Sequence, residues 1–228
     1  MQYANAFEIF IRLIEASVAV FSVLAAALTV LLIVLRTRHK FSANHQTMLT
    51  QTWRSIFISA YMGGSISEVP PIEKGDWITV LRLFNSFHQL RDKDVQRGPE
   101  VFPILDDIAR AAKLDRYAFR LLARGDDADA IVALNALGHL RDERALEAAL
   151  ALIDEDGPEL SRNAAQCVLR INWRFIDTVL ECVRDREDWV RSRIEMMIKE
   201  VPHAILDPAI AKALHSANDV GKRRLLDY

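Results

Sequence analysis

Apolar and polar positions divide this chain into two regimes. Ala16 to Leu35 is a run of twenty positions without an ionisable side chain, and Arg36, Arg38 and Lys40 follow at once. At about 1.5 Å per helical residue, such a run matches the roughly 30 Å hydrocarbon core of a bilayer. It is longer than the apolar stretch of a secretory signal, and Glu8, Arg12 and Glu15 before it are not net basic. The pattern therefore predicts a retained single-span anchor over residues 1–40. The basic flank predicts an inner (cytoplasmic) membrane protein with its N-terminus outside and residues 36–228 in the cytoplasm. Ala19, Ser22, Ala26 and Thr29 fall 3-4-3 apart. They share one stripe of such a helix, where small side chains let a second membrane helix approach.

After the run, apolar residues recur at helical rather than strand spacing. His45 to Tyr61 places Leu49, Trp53, Ile56, Phe57 and Ala60 on one face. Residues 63–71 read as a loop, and Asp76 to Leu90 as a second helix carrying Trp77, Val80, Leu81, Phe84 and Phe87. Residues 91–99 read as a charged, mobile loop with a Gly-Pro break, and Val101 to Leu114 and Arg116 to Arg124 as two further helices. These pairs, residues 41–124, read as divergent caps on the C-terminal half of the chain. A rival reading lays helix 45–61 on the membrane surface with Trp53 and Phe57 among the headgroups. Its polar face carries only Arg54 as a cation, which favours the capping role.

Residues 125–228 repeat. Ile131–Asp154, Leu160–Asp185 and Val190–His215 align with starts 29 and 30 residues apart, and Leu146, Phe175 and Ile205 keep the same steps. Each segment holds two amphipathic helices, with Asp and Pro at the breaks where helix starts prefer them. One pair cannot bury its own apolar face, whereas stacked neighbours bury a continuous core. Leu137, Val168 and Ile198 are the expected buried positions.

This pattern resembles HEAT repeats, particularly the short bacterial HEAT-like type of about thirty residues, across roughly residues 115–216. The match is strongest at Asp188-Trp-Val190-Arg191. In that family an Asp two residues before a Val-Arg pair opens the inner helix and pairs with basic residues along the stack. Gly157 to Ser161 and Asp127 to Ile131 occupy the same place without the arginine. The resemblance implies an all-α protein, a HEAT-like α-solenoid of stacked helix pairs behind the anchor.

Charge and chemistry narrow the function. Only Arg12 among 29 basic residues, and Glu8 and Glu15 among 31 acidic ones, precede the end of the apolar run at Leu35, so the remainder is nearly balanced. That argues against a nucleic-acid partner. Six histidines are scattered along the sequence without metal-ligand spacing, and Cys167 and Cys182 sit among apolar neighbours as reduced, buried thiols. There is no phosphate loop and no nucleophile elbow. No catalytic, cofactor or metal residue is expected. The arginines near 184–193 alternate with acids, yet Arg162, Arg170, Arg191 and Arg193 on successive second helices point to an anion-reading row.

Two function classes remain. One is a non-enzymatic scaffold or adaptor that binds a protein partner, an integral membrane protein or complex such as a glycosyltransferase or export machine. It would use the stripe Ala19, Ser22, Ala26, Thr29 together with the arginine row. The other is a chaperone or enzyme of the bilin-lyase type, in which short HEAT-like repeats also occur and which implies a ligand cleft in the solenoid.

Overall fold

The computed structural model describes Leu28 and residues 44–64, 68–73, 75–91, 102–124, 126–217 and 219–226. Thr50–Tyr228 forms one compact unit, separate from Met1–Leu49. Every regular element among the described residues is helical, so the protein is all-α. The elements are α1 (44–61), α2 (Trp77–Arg91), α3 (Phe102–Ala111), α4 (Leu114–Leu122), α5 (Asp127–His139), α6 (Leu146–Ile153), α7 (Pro158–Ile171), α8 (Ile176–Asp185), α9 (Arg191–Ile198), α10 (His203–Ser216) and α11 (Asp219–Leu226).

The expected single-pass placement in the inner membrane is corrected. Among the described residues no helix is long and apolar enough to cross a membrane. The longest, α1, alternates buried Trp53, Phe57 and Ala60 with exposed polar positions, the pattern of a helix packed on one side only. The apolar run Ala16 to Leu35 and the whole stripe Ala19, Ser22, Ala26, Thr29 lie outside the described residues, as does the charged loop after Arg91.

Local sequence explains the helix ends. Asp126 opens α5 by accepting the Ala128 N–H at 2.9 Å. Pro158 takes the first position of α7, where its missing N–H costs nothing. Short 3-10 turns precede α6 and α8, and each is capped by an Asx side chain. Asp142 accepts the Arg144 N–H at 3.1 Å, and Asn172 accepts the Arg174 N–H at 3.0 Å. The two caps stand thirty residues apart. Thirty residues further on, Pro202 occupies the N-cap of α10. The turns before α6 and α8 thus share one capping geometry. At α9 the expected acidic start is absent: Val190 is the N-cap, and Asp188 pairs with Arg186 instead.

Arg186 does more than neutralise Asp188. Its guanidinium reaches back one repeat to the carbonyls of Glu155 (2.7 Å), Asp156 (3.3 Å) and Ile153 (3.4 Å). These are oxygens at the end of α6 that have no partner within their own helix. One arginine therefore ties the chain after α8 to the end of α6.

The core runs through the first helices. α5 packs mainly on α7 and α4, and α6 also packs on α7; α8 meets α10 and α11. Leu137 and Val168 are fully buried and Ile198 nearly so. Gly138 permits the close approach of α5 to α7, since a Cβ there would lie 3.1 Å from the Cα of Cys167. At the other end, Phe57 is sealed among Trp53, Phe84 and Phe87, with ring centroids 5.6, 6.2 and 5.6 Å away. Trp53 and Phe57 are thus core residues, not headgroup contacts. α2 packs on α4 and α5, so the chain before 125 joins the same core as the repeats. Cys167 is buried as expected, but Cys182 is only partly so.

Asp142 gives a pH-dependent test of the repeat turn. Hydrogen bonds from Arg144 (2.9 and 2.6 Å to the guanidinium) hold its carboxyl below the ordinary value of 3.8, against the opposing effect of burial. A carboxyl whose pKa falls on folding stabilises the protein above that ordinary value, and the contribution disappears as pH drops through the folded one. Asp142→Ala is expected to cost about 1–2 kcal/mol at neutral pH. The cost should shrink as pH drops through the folded value, below 3.8, where wild-type Asp142 takes up its proton. Urea unfolding at neutral pH and in acid measures the difference.

Candidate functional site: a basic groove across three helices

Helices α5, α7 and α9 line a groove of about 510 Å³. α5 contributes Asn135, Gly138 and His139, and Arg141 follows it. α7 contributes Arg162, Asn163, Gln166 and Arg170, with Trp173 beyond. α9 contributes Arg193 and Met196, followed by Lys199 and Glu200, while Gln89 closes the α2 end. Five cations face one carboxylate, so the groove is positive on a protein whose net charge is −2.

Its floor is fixed. Arg170 is mostly buried and grips Glu200 with two hydrogen bonds of 2.6 Å, one from Nε and one from Nη2. Gln166 adds a third to the same carboxylate at 2.7 Å. Glu200 therefore ties the end of α9 to α7 across thirty residues. Charge-assisted bidentate pairs of this kind set orientation as well as energy. Asn135 Nδ2 donates to Asn163 Oδ1 at 3.1 Å, tying α5 to α7 in the same way, and Asn163 donates in turn to the Glu159 carbonyl at 2.6 Å.

Beneath the floor lies a histidine pair. His139 approaches Arg170 Nη1 at 3.2 Å and stacks on the fully buried His88 at 4.4 Å, and Phe84 packs edge-on against both. His88 Nε2 comes within 3.2 Å of Asp106 Oδ1, but without hydrogen-bond geometry. The two histidines are fifty-one positions apart in sequence. Only the packing of α2 on α5 joins them.

The cations of the groove differ in their freedom. Arg162 is 7 % exposed; its Nη2 pairs with Glu159 at 2.5 Å, while its buried Nε has no hydrogen-bond partner. Arg141, Arg193 and Lys199 are exposed and have no ion-pair partner among the described residues. Arg141 holds a left-handed backbone (φ 50°), which turns the chain directly after α5.

The structure brings together three of the four arginines expected to form a row: Arg162, Arg170 and Arg193. Arg191 is excluded, being exposed and engaged with Glu195 at 3.3 Å. The row lies on the first helix of each pair, not the second. Sequence reasoning passed over Arg141, Lys199 and the amides. A signal for two of these was present: Arg141, Arg170 and Lys199 recur at steps of 29 residues. Cys167 lies against this floor, but burial pushes its thiol up to about 12, so it offers no thiolate near neutrality.

No protein-family model, curated protein or solved structure matches this chain.

Proposed function

We propose that this chain is a non-enzymatic, HEAT-like helical-repeat scaffold that binds a partner protein in the groove across α5, α7 and α9. One observation carries the reading: α5, α7 and α9 contribute to one continuous, charged and amide-rich surface. Repeat proteins bind through such extended surfaces because each added unit lengthens the contact without changing the fold. The fixed Arg170–Glu200 floor supports it, since a preorganised surface loses less entropy on binding. The internal repeat, with its Asx-capped turns thirty residues apart, supports the solenoid architecture.

A photo-crosslinking residue placed at Met196, half-exposed in the groove, is expected to give a discrete protein adduct in cells. The same residue at exposed Val220 on α11 should give none. Equal labelling at both positions, or at neither, would overturn the reading.

The groove's volume favours a second reading, a ligand cleft of the bilin-lyase type, because it falls within the range of about 300–1,000 Å³ typical of small-molecule sites. Co-purification of a chromophore, lost on Arg193→Glu, would favour this alternative over the scaffold.

A further inference from the structure

We infer that the occupant of the groove is an extended acidic segment of the partner protein, its carboxylates seated on Arg162, Arg193, Arg141 and Lys199. This deepens the partner-binding reading and rests on it. The first argument is the state of Arg162. Its guanidinium is more than nine-tenths buried and lines the groove, and its Nε lacks an acceptor. A buried donor left unpaired is costly, and with Nη2 held by Glu159, Nε is the donor left for a further carboxylate. The second is the charge balance. Glu200, the one lining carboxylate, is already occupied by Arg170 and Gln166 and does not compete for the remaining cations. Arg193 and Lys199 have no acid within reach among the described residues.

The spread of these cations favours a chain over a compact anion. They belong to successive repeats, and packed helices lie about 8–10 Å apart. An extended peptide advances about 3.3 Å per residue, so acids at every third position fall in step with the repeats. Trp173 and Met196 give the groove an apolar contact for the intervening residues. A polynucleotide is disfavoured because outside the groove the surface is acidic enough to bring the protein to −2 overall.

The test uses the full chain and a fluorescein-labelled peptide of repeating Glu-Ser-Gly, read by anisotropy. Binding is expected, weakening with added salt, and at least about tenfold weaker for the Gln-Ser-Gly peptide. Arg193→Gln/Lys199→Gln should also lose about tenfold, while Lys212→Gln, whose lysine pairs with Asp177, should lose nothing. Both groove residues are exposed, so the variant's melting curve should match wild type and the loss cannot be assigned to unfolding. Arg162→Gln is read beside its own melting curve, and loss of binding by a folded variant supports the assignment of Nε. No binding, equal binding of the Gln peptide, or unchanged binding by the double variant would overturn the inference. So would tighter binding of oligothymidylate, or displacement of the peptide by inorganic phosphate at equal charge concentration. Failure with the peptide while the Met196 adduct still forms would remove the acidic segment alone. Absence of that adduct would remove the partner-binding reading itself.

Discussion

Val168→Asp is expected to abolish the cooperative thermal transition of the helical unit, or to lower its midpoint by about 10 °C or more. Val168 is fully buried on α7, the helix that meets both α5 and α6. The substitution removes aliphatic burial and puts a carboxylate at a fully buried position, and an uncompensated buried charge costs several kcal/mol. Val168→Ala removes only the aliphatic part and should cost about 2 kcal/mol. Val190→Asp, at the exposed N-cap of α9, should not destabilise and is expected to gain about 0.5–2 kcal/mol, because Asp caps a helix start better than Val. Far-UV circular dichroism melts of the three variants give the order directly. Equal midpoints for Val168→Asp and Val190→Asp would mean that the repeat register is misplaced.

That register was legible because it depends on periodicity alone. Apolar residues at helical spacing identified Leu137, Val168 and Ile198, and each lies in the core. Helix ends were legible to within a few residues where a cap was written into the chain, as at Asp126 and Pro158. They were misjudged around Ala112, where Lys113 turns through a left-handed backbone (φ 60°) that no glycine announced. The groove was only half legible. Arg191 and Arg193 look equivalent in a list of arginines, but two steps along a helix at 3.6 residues per turn is nearly a reversal of direction. One therefore faces the groove and the other pairs with Glu195 on the outside. The His88–His139 stack was not legible at all, because it depends on how α2 lies on α5. The apolar run before residue 36 read clearly as a pattern, yet the membrane placement drawn from it finds no spanning helix among the described residues.

Glu200→Gln is expected to move stability and binding in opposite directions. Arg170 is 11 % exposed and relies on the Glu200 carboxylate for two of its hydrogen bonds. Neutralising Glu200 leaves a buried guanidinium with a weaker acceptor and should cost about 2–4 kcal/mol. That lies at or below the range for breaking a fully enclosed pair, because Glu200 itself is 24 % exposed. Replacing both partners, Arg170→Met with Glu200→Leu, should recover most of this loss, since neither charge is then stranded. The double-mutant cycle from denaturant unfolding gives the coupling energy. Binding should behave differently. With the one lining carboxylate neutralised, the groove gains a unit of net positive charge, and the Glu-Ser-Gly peptide should bind Glu200→Gln more tightly than wild type. The double variant lacks both the acid and the guanidinium, so it should be nearly as stable as wild type without that gain. A Glu200→Gln protein that lost stability and bound the peptide no better would mark the pair as purely structural and place the binding surface elsewhere.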